Sequence, residues 1–250
     1  VLPYYNFDKQ ITKNYFNGNI SFNSNGSNVL DNTNKLETNF TNNLTYNSID
    51  FISNIGLKNN FGINLKNLNS VGKKSSKYKS SLQSELVSLY NLDVSFPLKK
   101  NSQTSQNYLT PKLSLRFNPH DMKNYSSSAR NIDAHNAFAI NRLGLSDTFE
   151  SGRSVTLGLD YSSEQKNDLN EINNYFELKL ATVFRDKEEI FVPNKSTINR
   201  KNSNLFGSIT NEFSENLKIR YNFSLDNDIN TLEYTDIYTI VSINNIVTEF

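Results

Sequence analysis

Leu217-Lys218-Ile219-Arg220-Tyr221-Asn222-Phe223-Ser224-Leu225 alternates, residue by residue, between apolar and polar side chains. Every odd position is aliphatic or aromatic, and every even one carries a charge, an amide or a hydroxyl. A helix brings residues three and four apart onto one face, so it cannot sort this segment. An extended strand can, because successive side chains point to opposite sides. The same beat recurs in Val155, Leu157, Leu159 and Tyr161, set against Ser154, Thr156, Gly158 and Asp160. Leu113, Leu115 and Phe117 alternate with Lys112, Ser114 and Arg116, and Phe176, Leu178 and Leu180 with Glu177 and Lys179.

Such alternation fits a soluble antiparallel sandwich or the wall of a membrane barrel. Two features favour the barrel. The polar face carries charge or Asn nearly everywhere, so no segment reads as a strand buried on both sides. The strands are also long: between Ser81 and Leu98 the apolar phase persists through Leu82, Leu86, Tyr90, Leu92, Val94 and Phe96. A globular strand usually has about 5–6 residues, whereas crossing a bilayer at a tilt takes roughly 9–11.

The connections sort in the same sense. Short ones fall at Asn47-Ser48, Ser214-Glu215-Asn216 and Asn244-Asn245, long ones at 67–78, 118–152 and 186–202, and intermediate ones at 99–106 and 164–173. Outer-membrane barrels pair short periplasmic turns with long outside loops, and a sandwich has no reason to do so. The expectation is an all-β, antiparallel transmembrane β-barrel, read as a fragment of a larger barrel with about 11–12 strands. Residues 1–250 form a single partial barrel domain in this reading, with 118–152 as a long extracellular loop.

Composition narrows the function. The formal net charge of +1 over 250 residues argues against a nucleic-acid binder. No run approaches the ~18 apolar residues of a membrane-spanning helix. Without cysteine, disulfides, thiolate metal sites and cysteine nucleophiles are excluded. Regularly spaced Phe and Tyr, 17 and 13 of them, argue against disorder. The chain opens on Val1-Leu2-Pro3 with no basic, apolar leader, so a piece of a longer exported protein is expected.

Chemistry-bearing clusters are thin. His120, Asp121, Asp133 and His135 share the long loop, but two His and no Cys are poor material for a metal centre, and loop His and Asp are mostly solvated or turn-forming. Asp226-Asn227-Asp228-Ile229-Asn230 starts like a calcium loop, yet Thr231 stands where the required glycine belongs; a hairpin turn is the reading. Gly152, Gly158 and Gly207 lie in or beside strands, where they allow close backbone approach. Catalytic residues, metals and cofactors are not expected, and the chain does not read as an enzyme.

The most distinctive stretch is Asn141-Arg142-Leu143-Gly144-Leu145-Ser146-Asp147-Thr148-Phe149-Glu150-Ser151-Gly152-Arg153, which runs into Val155-Thr156-Leu157-Gly158-Leu159. It reads as a loop pinned by Arg–carboxylate pairs, with Arg142, Gly144, Asp147, Glu150 and Arg153 as the loop-fixing residues. This stretch resembles a pattern of the organic-solvent-tolerance (LptD) family. Tyr108-Leu109-Thr110-Pro111-Lys112-Leu113-Ser114-Leu115-Arg116 and Leu2-Pro3-Tyr4-Tyr5 support the likeness, which spreads over roughly residues 2–226.

The resemblance implies a very large barrel in the outer membrane of a Gram-negative bacterium. Lipopolysaccharide reaches such a barrel from a periplasmic Lpt bridge and leaves through a lateral opening, while an LptE-like plug lipoprotein fills the interior. The family's amino-terminal jellyroll and its interdomain cysteines are not in this chain.

The expected function is therefore passive conduction and insertion of lipopolysaccharide. Val155, Leu157, Leu159, Leu217, Ile219, Tyr221 and Phe223 would meet membrane lipid. The opposite faces, rich in Asn, Ser, Lys and Glu, would line a wet lumen, where positions such as Thr156 should tolerate charge. The alternatives are another outer-membrane barrel, such as a porin or substrate-specific channel, and a soluble β-sandwich binding module.

Overall fold

Among the described residues fourteen strands hydrogen-bond into one antiparallel sheet. The computed structural model describes residues 3–15, 17–31, 34–166, 172–214, 216–243 and 246–249. Strands β1 (Tyr4–Tyr15), β2 (Gly18–Asp31), β3 (Lys35–Ser48), β5 (Lys58–Lys73), β6 (Gln83–Ser95) and β8 (Ser105–Asn118) pair in chain order. The ladder continues through β9 (Gly152–Lys166), β10 (Ile172–Arg185), β11 (Leu205–Ser214), β12 (Leu217–Leu225), β13 (Leu232–Ile243) and β14 (Ile246–Glu249). Two short strands, β4 (Phe51–Ile52) and β7 (Leu98–Asn101), pair only with β5 and β8. Among the described residues the single helical element is a 3₁₀ turn at Asn194–Ser196.

This up-and-down order is the wall of a β-barrel, and the sequence-based strands fall on it with local differences. The run between the connections expected at 47–48 and 67–78 is broken at 53–57. There Gly56 takes φ +87°, its amide bonds back to Ser53, and the Ser53 hydroxyl accepts the Leu57 amide. Beyond the break β5 continues to Lys73, so the connection expected at 67–78 narrows to 74–82. The intermediate connection at 99–106 holds a small hairpin, because β7 pairs back onto Gln106–Leu109. Glu215, Asn244-Asn245, most of the connection before β10 and Leu2 lie outside the described residues.

Burial inverts the rule for a water-soluble protein. Along β5 the buried positions are Gly62, Asn64, Lys66, Leu68, Ser70 and Gly72, while Phe61 is 40% exposed and Lys66 only 5%. Leu86, Tyr90 and Leu92 of β6, Leu115 and Phe117 of β8, Leu157 of β9 and Phe184 of β10 are likewise exposed. Register extends these rows from strand to strand, with Leu115 opposite Val155, Leu113 opposite Leu157, Leu159 opposite Leu180 and Tyr161 opposite Leu178. Large apolar side chains normally lead the buried class, and polar ones the exposed. Among the described residues no second sheet or helix layer covers the apolar rows, so the β-sandwich alternative fails. A barrel wall with hydrocarbon outside accounts for the inversion.

Candidate functional site

After Asn118 the chain leaves β8, crosses the polar face of the sheet, and rejoins it at Gly152. Gly152 adopts φ +78°, and a Cβ there would sit 3.2 Å from Arg185 Nη2. Short polar turns shape the loop from within. The Asp133 carboxylate accepts the amides of His135 and Asn136, each at 2.8 Å, and the Asn141 side chain bonds both the amide and the carbonyl of Leu145.

At its centre Arg142 grips Glu150 with two parallel hydrogen bonds, Nε to Oε2 at 2.7 Å and Nη2 to Oε1 at 2.6 Å. The same guanidinium donates to Ser154 Oγ and Thr156 Oγ1 of β9, both at 2.9 Å. Arg185 of β10 also donates to Glu150 and to the Ser151 carbonyl. Arg116 of β8 donates to the carbonyls of Ala139, at 2.6 Å, and Ile140. Three neighbouring strands thus hold one loop through buried guanidiniums. A buried charge is costly unless paired and fully hydrogen-bonded, and bidentate Arg–carboxylate geometry meets that condition. Burial alone would push the Glu150 carboxyl up; Arg142, with Arg185 and Arg116 behind it, outweighs this and holds it at about 2.

A second cluster ties this loop to the 74–82 connection. Asp147 accepts a hydrogen bond from the Tyr125 hydroxyl and lies 3.3 Å from Lys77 Nζ and 3.8 Å from Lys123 Nζ. Burial opposes its ionisation, yet the Tyr125 hydroxyl and the two ammonium groups keep Asp147 below the ordinary carboxylate range. Lys66 reaches from β5 to the carbonyls of Leu145 and Thr148, 3.4 and 3.2 Å away, and stands 4.5 Å from the Phe149 ring centre.

Between the charged points the loop makes a dry contact. Met122, Ile132, Ala137 and Leu143 pack with Ala181 and Val183 of β10, Phe206 of β11, and Val192 and Ile198 of the 186–204 connection. Phe149, with Ile140, covers Val87 and Leu89 of β6. Phe138 lies against β9, so close that a Cβ on Gly158 would come 2.5 Å from its ring. That glycine is required for the loop to seat.

A family described as LptD, LPS transport system D, matches residues 1–241. The chain belongs to the LptD family. Its place is therefore the outer membrane of a Gram-negative bacterium, and its work the transport and assembly of lipopolysaccharide. No curated protein matches the chain. Nothing favours the porin alternative over this LptD assignment.

Within this LptD-family sheet the residues singled out from sequence go to different places. Arg142 and Glu150 meet in the central cluster, Asp147 belongs to the second, and Gly144 forms a turn at φ +66° beneath the Arg130 guanidinium. Arg153 joins neither cluster: it points to the opposite side of the sheet, with its guanidinium 5.4 Å from the Phe117 ring centre. Val155, Leu157 and Leu159 share that side, as do Leu217, Ile219, Tyr221 and Phe223 through the β10, β11 and β12 registers.

The expectation of a uniformly wet inner face needs correction. Thr156 is 0% exposed and accepts a hydrogen bond from Arg142, so it is no site for an added charge. Ala181 and Val183 of β10 and Phe206 of β11, inner positions under the loop, are apolar and dry. Leu180-Ala181-Thr182-Val183-Phe184, where the alternation lapses, was the available sequence signal. Arg116, Arg185, Lys66, Lys77, Lys123 and Tyr125 were not anticipated as partners of the loop. Among the described residues no three His, Asp or Glu converge as a metal site, and His135 instead lies 2.9 Å from Ser208 Oγ.

Proposed function

We propose that this chain is a single partial barrel domain, residues 1–250, of a protein that conducts lipopolysaccharide without covalent chemistry, and that its 118–152 loop is a fixed stopper at the extracellular end. One observation carries the reading: a long loop lies against the polar face of a sheet whose apolar face is bare, locked there by the Arg142–Glu150 pair. A fixed internal loop narrows the lumen, so bulky solutes stay out while the wall still offers a polar lining to phosphorylated sugar. Val155, Leu157, Leu159, Leu217, Ile219, Tyr221 and Phe223 face membrane lipid in this arrangement. Arg142, Gly144, Asp147 and Glu150 fix the loop and take no part in bond making. A periplasmic Lpt bridge supplies the lipid, and an LptE-like lipoprotein occupies the part of the lumen that the loop leaves open.

The test is depletion of the parent protein with rescue by wild type or by an R142A/E150A double variant. Wild type should restore lipopolysaccharide to the cell surface and exclude large antibiotics. The double variant should reach the outer membrane yet admit them. Surface lipopolysaccharide that is unchanged on depletion, or a parent protein absent from outer membranes, would remove the proposal.

A further inference from the structure

We propose that the outer wall of β6, β8, β9 and β10, at its extracellular end, binds the phosphate of an outer-leaflet glycolipid through Arg153 and seats one of its acyl chains in the groove alongside. This rests on the outer-membrane reading above but concerns the outside of the barrel, not the conduit.

A groove of about 800 Å³ runs across these strands, lined by Tyr90, Leu92, Leu115, Phe117, Val155 and Phe184, with Arg153 and Asp186 at its rim. Register places Tyr90 opposite Phe117 and Phe117 opposite Arg153, so the groove floor and the cation lie on one row of the sheet. The Tyr90 and Phe117 rings stack at 6.3 Å, and the Arg153 guanidinium lies over the second of them.

Arg153 stands apart from the other charges carried by these strands. Among the described residues it is the one charged side chain on the outward face of β8 through β12. Arg116, Arg142 and Arg185 spend their donors on carbonyls and a carboxylate inside. Arg153 is exposed and makes no ion pair among the described residues.

A cation on a lipid-facing wall is unfavourable at mid-membrane and tolerated near the interface, where its stem lies on apolar surface and its head reaches an anion. Arg153 begins the second residue of its strand at the long-loop end, which is that interface. The planar guanidinium suits the bidentate geometry of phosphate, and the aromatic floor suits the adjoining hydrocarbon. A glycolipid carrying phosphate next to acyl chains matches both halves of the site, and the lipid handled by this family supplies it in the outer leaflet.

Native mass spectrometry of the full parent protein, titrated with bisphosphorylated lipid A, reads the site. Wild type should retain lipid A about tenfold more tightly than R153A, as expected for one charge-assisted contact, with R153K in between. Removing the phosphates from the lipid should bring wild type down to the R153A level. A V155W variant, which fills the groove and keeps the cation, should also weaken retention. Folding of each variant is read from the heat-sensitive gel mobility of the barrel. Equal retention by folded wild type and R153A, or equal retention of phosphatidylglycerol and lipid A, overturns the proposal. Neither result touches the conduit reading, which fails instead if the parent protein does not reach the outer membrane.

Discussion

The inner faces of β1 and β2 and of β8 and β9 are written in the same polar alphabet and end in opposite environments. On β1 and β2, Asn23 Nδ2 donates to Asn6 at 3.2 Å and to Asp8 at 3.0 Å, and Asn25 and Asn43 donate to Asn23 in turn. Asn6 and Asp8 are exposed. On β8 and β9, Ser114, Arg116, Ser154 and Thr156 occupy equivalent inward positions and are buried. The difference comes from what lies above. The 118–152 loop covers the second region with its own arginine, carboxylate and apolar side chains. A polar strand face is therefore a permission and not an instruction: water or a folded loop can satisfy it equally well. The two outcomes diverge sharply in energy, because only the dehydrated network suffers when one partner is lost.

That contrast can be broken in several ways. Arg142→Ala should have the largest effect, destabilising the loop by about 3–5 kcal/mol because Glu150 is left buried against fewer partners. Asn23→Ala on the hydrated side should cost no more than about 1 kcal/mol. Denaturant unfolding with protease nicking of the loop measures both, and similar values at the two sites would erase the distinction.

Leu157→Arg comes next. Leu157 is 42% exposed on the outward face, and a charge at mid-membrane should cost about 2–4 kcal/mol. Asn6→Arg, on the open inner face, should change folding into liposomes little. A reversal of that order would invert the assigned faces. Gly158→Val should cost about 1–3 kcal/mol by overpacking, since Phe138 occupies the space a side chain needs. Faster hydrogen exchange confined to the loop, with the strands unaffected, is the expected record.

Acid should give the smallest effect. Glu150 is held at about 2, below its ordinary 4.5, so its contribution is complete above 4.5 and lost as pH falls through about 2. At pH 3 only part is gone, and the loop's protection against exchange, taken relative to the intrinsic rate at each pH, should fall modestly there and recover at pH 5. An E150Q variant should show no such step.

Much of the fold was legible because a strand announces itself locally. Two residues suffice to set a period of two, and each of the segments beginning at Lys112, Ser154, Phe176 and Leu217 lies in the sheet with its apolar side outward. The break at Ser53–Leu57 was missed because a turn built on one glycine leaves the flanking alternation almost intact. Arg153 was open to a better reading: it shares the parity of Val155 and Leu157, which already put it on the outer face.

By itself the sequence determined the strands, the two faces of the sheet and the length of the loop, since each follows from side chains adjacent along the chain. Only the tertiary structure decided that the loop turns inward, that Arg142 and Arg185 pair with Glu150, and that Arg116 holds the carbonyls of Ala139 and Ile140. Those partners come from β8, the loop and β10, and no periodicity links them. Their meeting depends on the register of three strands and on the glycines that let the loop lie flat. Whether a polar side chain ends wet or dry is a property of that assembly, because dehydration is decided by what arrives from elsewhere in the chain.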